Sequence, residues 1–506
     1  MDSASHRIEL DPESALIVNS SITAKGWKLE RLLQKGKNFV NIRRVSMEHP
    51  EMVRKAIDEH EREGVPLVIQ DWHKHAQWAK QIFDADWLLE KYGNNRVSVR
   101  NCHDRNDKYM SLREFITTSR AMDPFTRSEE SERLYAKDAE CPEEWRSWLQ
   151  TSKVLPDDLL PQGTDDLLQY LPQEEAVESL MCYYGIGDTL TPCHKDLCGS
   201  SGHNIMCYVE KGGSSFWFMT ASNVAPDVAQ YFQKEFGEEL DWETHVTTVE
   251  EFANAPFNVY VTEQRLGDLV LVPPRSCHQV VNHGGLTMKM SWSRMTFKGL
   301  RTALHYELPI YRRVCRPEQY RVKAVLYHSL LHYTAEPQPS PSTSIATSIS
   351  SRMKSLKCLL DLFDELLCEE FVSKRGRQIN VLGENRPGLR ARPPSLPQND
   401  KGQKIEQSRN VACDFCGADI FQSFFECQSC LSQGAEKPDR YGDGLLICAP
   451  CYVEGRSCRC GVMTPVQCRP FVELLQDRNN AANALKQLIE GESRSIATIV
   501  AELTER

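Results

Sequence analysis

Two groups of residues have the types and spacings that chemistry needs. The first is Thr-Pro-Cys-His-Lys-Asp at 191–196. Along a strand, residues two apart point to one side, so His194 and Asp196 are candidates to share a metal ion. The third ligand has to come from elsewhere, and the best candidate is His278 in GDLVLVPPRSCHQVVN. There Gly267 permits a tight turn, Pro273 and Pro274 end a strand, and His278 opens the next one facing inward. The spacing from Gly267 through Pro273 and His278 to Asn282 is far more restrictive than His-x-Asp alone. Two imidazoles and one carboxylate leave the other positions of a metal open. That suits non-haem Fe(II), which must accept a cosubstrate and O₂.

The second group is cysteines. Of 19, nine lie between Cys413 and Cys468. They run Cys413-x2-Cys416, Cys427-x2-Cys430, Cys448-x2-Cys451 and Cys458-x-Cys460, with Cys468 beyond. Zinc takes four tetrahedral ligands, and Cys-x2-Cys turns supply them in pairs. Four pairs make two sites. The opening MDSASHRIELDPES lacks the basic-then-apolar pattern of a secretory leader, so dense cysteine reads as metal ligation rather than disulfides.

These residues need elements to position them. Seven runs read as strands: ESLMCYYG, NIMCYVEKG, SSFWFMTA, FNVYVTEQ, DLVLVPP, HQVVN and TMKMSWSRM. Short strands with Gly/Pro punctuation suggest a β-sandwich or barrel of the jelly-roll kind. GVPLVIQDW and NRVSVRN read as further strands, Glu51 to Glu63 as a helix, and Trp87 to Tyr92 as a helix ending at Gly93. Pro226 to Ala255 looks helical and acidic. Lys298 to Tyr333 looks helical with a basic cluster. Met353 to Phe371 places apolar residues at helical spacing, an amphipathic stripe that either docks on the main domain or binds a partner.

The expected organisation follows. An N-terminal segment (1–63) precedes a catalytic domain (64–301) and a helical extension (302–335). A Pro/Ser/Thr-rich linker (336–351), the amphipathic helix (352–372) and a basic linker (373–409) lead to the cysteine module (410–470) and terminal helices (471–506). The 506 residues are 41% apolar and 26% charged, close to the globular norm. Mean hydropathy is -0.48 and there is no run of 18 apolar residues, so no membrane span and an intracellular location are expected. A net charge of -10 excludes a basic nucleic-acid coat as a global property. A basic run at Lys374–Arg377 is a candidate nuclear-localisation patch.

From roughly Gly64 to Arg301 the sequence resembles the JmjC-domain oxygenases of the cupin superfamily. The resemblance rests on GVPLVIQDW, Trp87…Tyr92-Gly93, LYAKDAECP, Thr191-x-x-His194-x-Asp196, KGGSSFWF and the Gly-Asp…Pro…His…Asn element. It implies a mainly β fold, a double-stranded β-helix with flanking helices. It also implies a dioxygenase dependent on Fe(II) and 2-oxoglutarate, with iron on His194, Asp196 and His278. O₂ then oxidatively decarboxylates 2-oxoglutarate to succinate while a substrate C–H is hydroxylated. Thr191 stands where the family places a hydroxyl for the remote carboxylate. The family's usual lysine position is occupied here by Ser214, and Lys211 and Lys289 are the candidate replacements. The strands near ECPEEW and NIMCYVE look closest to chromatin-directed members.

The cysteine order resembles a cross-brace finger of the ZZ type. On that resemblance Cys413, Cys416, Cys448 and Cys451 hold one zinc, and Cys427, Cys430, Cys458 and Cys460 hold the other. The ZZ module's last pair is usually histidine; here it is Cys-Arg-Cys.

Together these readings suggest a nuclear protein acting on chromatin, expected to demethylate lysines of histone tails or another basic protein. Its zinc module and amphipathic helix would contact chromatin proteins. A catalytically inactive JmjC scaffold and a protein or RNA hydroxylase are the alternatives.

Overall fold

A computed structural model of the chain describes residues 22–335, 345–371, 412–427 and 445–504. Short strands of β-branched and aromatic residues dominate its first 300. Six come first: β1 (Phe39–Asn41), β2 (Arg43–Ser46), β3 (Leu67–Gln70), β4 (Arg96–Asn101), β5 (Asp107–Ser111) and β6 (Leu134–Glu140). Eight follow: β7 (Met181–Gly185), β8 (Leu190–His194), β9 (Ser201–Val209), β10 (Ser214–Met219), β11 (Val259–Gln264), β12 (Leu269–Val272), β13 (His278–His283) and β14 (Thr287–Arg294).

One sheet has the order β1-β11-β10-β13-β8 and the other β2-β3-β12-β9-β14-β7-β6-β4-β5. The eight strands from β7 to β14 divide four and four between them, and every pairing within this set is antiparallel. The fold is a double-stranded β-helix of the cupin jelly-roll type with flanking helices. All seven strand runs read from the middle of the sequence are strands here. Behind the larger sheet, Phe83 meets Trp145 and Trp148 edge-to-face at 5.2 and 4.8 Å between ring centres, and anchors the helices to it.

Several expectations change. The segment before residue 64 does not stand apart. β1 pairs with β11 and β2 with β3, so its strands extend both barrel sheets. Between Pro226 and Ala255 only Ala225–Tyr231, a π turn, one 3-10 turn and Val249–Ala253 are helical. The basic helical stretch is broken. Helices Leu308–Val314 and Val322–Ala335 flank seven non-helical residues, where Cys315 and Arg321 both have positive φ and Pro317 cannot continue a helix. Residues 471–504 form one helix.

The amphipathic helix spans Ile345–Phe371. Its stripe of Leu356, Leu359, Leu360, Phe363, Leu366 and Leu367 is buried in one core with Val325 and Leu330 of the preceding helix and Leu474 of the last. The stripe is therefore covered from within, and a partner has no apolar face to take there. The candidate localisation patch at 374–377 lies outside the described residues. No helix among them is long and apolar enough to cross a membrane.

Candidate functional site: an open metal triad and two cysteine clusters

β8 and β13 run side by side, and His194 is the register partner of His278. Their rings lie 4.0 Å apart. Nδ1 of His194 sits 2.8 Å from the Pro192 carbonyl, and Nδ1 of His278 sits 3.1 Å from that of Ser276. A carbonyl accepts only from N–H, so both rings donate from Nδ1, and Nε2 is the nitrogen left to ligate. Burial and the neighbouring His278 hold His194 well below the usual imidazole range, hence neutral and ready to ligate.

Asp196 arrives differently from the sequence expectation. The strand ends at His194, and Asp196 caps a short 3-10 turn at Leu197–Gly199. Extended backbone at Asp196, not strand pairing, brings its carboxylate round to His278, 3.9 Å away. Its Oδ2 is buried without a hydrogen-bond partner. A Cβ on Gly202 would stand 2.1 Å from that oxygen, so only glycine leaves Asp196 its place. Ligand atoms of His194, Asp196 and His278 all lie within 4.8 Å of one another. Two imidazoles tied down at Nδ1 and an orphaned carboxylate oxygen fit a divalent iron.

The triad opens into a cavity of about 670 Å³, also lined by Thr191, Trp217 and Lys289. The two candidate lysines part company here. Lys211 lies exposed in the turn between β9 and β10, its Nζ 3.4 Å from the Arg120 carbonyl. Lys289 is 1% exposed and reaches into the cavity. Its Nζ donates to Asn282 Oδ1 at 2.7 Å and pairs with no carboxylate among the described residues. Burial pushes its pKa down to about 7. Ser214 does not join this group, and its hydroxyl is buried without a partner. Ser215, one residue on, donates to Asn282 Oδ1 at 2.7 Å.

Several contributors escaped the sequence reading. The Tyr135 hydroxyl reaches Thr191 and Asn282. Trp217 stacks on His278 at 5.9 Å. Glu307, fully buried, clamps both ligand-bearing segments. One oxygen takes Lys195, between the two ligands, at 2.8 Å; the other takes Arg275, three residues before His278, also at 2.8 Å. Lys195 also pairs with Asp241 at 3.2 Å. Each cation has a carboxylate, as buried charge demands.

The cysteines form two further groups around a three-stranded sheet, in which β15 (Ser423–Cys427) lies between β16 (Leu445–Cys448) and β17 (Thr464–Gln467). Cys413, Cys416, Cys448 and Cys451 are all buried, with sulfurs within 4.8 Å of one another. Cys427, Cys458 and Cys460 make a second group. Cys430 lies outside the described residues. These groupings alternate along the chain, first pair with third and second with fourth, as in a cross-brace. Cys468 joins neither. Four buried sulfurs at this separation fit a tetrahedral thiophilic ion, and the clusters are suited to zinc. Metal analysis of the full chain is expected to return two zinc ions, lost together with the module's structure under strong chelation. One zinc or none would contradict the arrangement.

Residues 181–293 match the family model described as JmjC domain, hydroxylase. The match begins at the first residue of β7 and stops one residue short of the end of β14. It supports a hydroxylase of the JmjC type, a class that uses Fe(II) and 2-oxoglutarate. The chain is also 28% identical over 406 residues to C-module-binding factor A of Dictyostelium discoideum, covering 78% of this chain and 38% of that protein. It thus spans well under half the length of this curated relative.

Proposed function

We propose that the chain is a Fe(II)- and 2-oxoglutarate-dependent oxygenase acting on chromatin, and that it demethylates lysine in histone tails by hydroxylating the N-methyl group. The observation that carries the oxygenase reading is Lys289. A lysine buried without a counter-ion is held partly neutral and regains its full charge only beside an anion, and this one faces the cavity that holds the metal triad. A dicarboxylate whose keto-acid end chelates the metal would bring its far carboxylate to such a cation.

On this reading His194, Asp196 and His278 hold iron. Lys289, Thr191 and Tyr135 hold the remote carboxylate, with Asn282 orienting Lys289. Bound iron supplies the redox centre at which O₂ converts 2-oxoglutarate to succinate and CO₂ and hydroxylates a substrate C–H. On an N-methyl-lysine the product is a hemiaminal, which releases formaldehyde. The Nδ1 contacts of both histidines and the Glu307 clamp keep the ligands in place, and the stacked Trp217 shields one face of His278. Asp138 and Glu178 stand exposed at the cavity, paired with Lys137 and Arg146, and are the carboxylates a basic tail would meet there. Nuclear location belongs to the same proposal.

The test is succinate release from 2-oxoglutarate, with and without methylated histone peptides. Expected are succinate above the no-enzyme rate and formaldehyde only with methylated peptide. Succinate without formaldehyde on any methylated peptide would point to a protein or RNA hydroxylase. No succinate at all would leave the inactive scaffold.

A further inference from the structure

The break between helices Leu308–Val314 and Val322–Ala335 lies between two functional sites. On one side Cys315, Arg316, Pro317, Gln319 and Tyr320 form part of the wall of the triad's cavity. Arg316 stands at its front, 3.1 Å from Asp241 and also paired with Glu243. Trp242 donates its indole N–H to the Val314 carbonyl at 3.3 Å.

The other side of the same segment rests on the turn that carries Cys413 and Cys416. The Glu318 N–H donates to the Gly417 carbonyl at 2.9 Å, and the Asp419 N–H donates to Glu318 Oε2 at 3.2 Å. Arg321 donates to Asp419 at 3.2 Å. The fit is close: a Cβ on Gly417 would stand 2.8 Å from Pro317 Cα, and Gly417 has φ +71°, so the position requires glycine twice over. The turn itself closes through Gly417 N–H to Cys413 O at 2.8 Å and Cys413 N–H to Ala418 O at 2.9 Å. The other half of the cluster is attached as well. Arg312 pairs with Glu454, and Arg456 donates to Cys451 Sγ at 3.1 Å.

We propose that the cysteine turn at 413–419 is the back support of the cavity wall, with Glu318 as its positioning residue, so that filling the first cysteine cluster with zinc sets the shape of the outer half of the oxygenase cavity. This rests on the reading of that cavity as the oxygenase site and of the cluster as a zinc site. Such a turn takes its shape from the ion its sulfurs bind. Without the ion, Gly417 and Asp419 no longer present a carbonyl and an amide to Glu318. The segment 315–321 has no helix or sheet of its own. It keeps its front contacts to Asp241 and Glu243, the Arg321–Glu175 pair, the Arg316 N–H to Tyr311 carbonyl bond and the buried Tyr320 ring, but loses the support beneath Pro317 and Glu318. Thr191 and Lys289 lie on barrel strands and stay where they are.

Hydrogen exchange on the full chain tests this, read on peptides covering 314–322. Zinc removal by a chelator should speed exchange there by at least about tenfold, with β8 and β14 little changed. Glu318→Ala, with both zinc ions confirmed by metal analysis, should speed the same peptides while 2-oxoglutarate affinity stays within about twofold. Unchanged exchange at 314–322 after zinc removal would overturn the proposal. So would a fully zinc-loaded Glu318→Ala protein with wild-type exchange. Should that variant not fold, the chelation arm on the wild-type chain decides. Succinate release from the untreated, iron-loaded wild-type chain reports the oxygenase reading separately, because the exchange result does not depend on turnover.

Discussion

Replacing His194, Asp196 or His278 by Ala is expected to weaken Fe(II) binding by more than about 100-fold and to take succinate release to background. Loss of outer partners of a metal ligand alone typically costs about 10–100-fold, and a ligand itself is worth more. The fold should survive, because an open catalytic site contributes less to folding than a closed structural one. The Asp196→Ala chain also sheds a carboxylate whose Oδ2 is buried without a partner. Iron stoichiometry and circular dichroism on the purified variants check this. Unchanged iron content in His194→Ala and Asp196→Ala would refute the metal assignment.

Lys289→Met is expected to weaken 2-oxoglutarate binding by about 10- to 150-fold, the equivalent of about 1.5–3 kcal/mol for a hydrogen bond to a charged group. Iron affinity should barely move, since Lys289 touches Asn282 and not the triad. Lys211→Met should change neither, because that side chain is at the surface. A pH dependence follows. With its pKa at about 7, Lys289 is already an ammonium below that pH and meets the carboxylate directly. Above it the free protein holds a neutral amine that must take up a proton on binding. Affinity should therefore fall with rising pH above about 7, by up to about tenfold per unit, and Lys289→Met should flatten that slope. Calorimetric titrations at several pH values would show it. A wild-type affinity that rises between pH 7 and 9 would contradict the assignment.

Which parts of this were legible in the sequence has a physical basis. Strands β7 and β9 to β14 were readable because their β-branched and aromatic runs are bounded by Gly and Pro, a local signal. The triad was readable because His-x-Asp and the Gly-to-Asn spacing are local too. The choice between Lys211 and Lys289 was not. A side chain's face depends on register, and the β14–β9 pairing slips between Met288 and Lys289. Tyr135 and Glu307 were missed because each acts on residues more than 30 positions away, and nothing in their own neighbourhoods marks them. The break at Cys315–Arg321 was hidden by the helical character of both flanks. Pro317 was the one cue. β1 and β2 were missed because three- and four-residue strands carry almost no alternation.

The His194–Asp196–His278 triad and Lys289 are together expected to hold a 2-oxo dicarboxylate. Anaerobic calorimetry of 2-oxoglutarate against the Fe(II)-loaded full chain tests it most directly, with glutarate as the comparison because it keeps both carboxylates but lacks the keto group. Expected are one 2-oxoglutarate per chain, bound at least about tenfold more tightly with iron than without, and glutarate bound weakly and independently of iron. Iron-loaded protein that binds no 2-oxoglutarate, or binds it no better than glutarate, would contradict it.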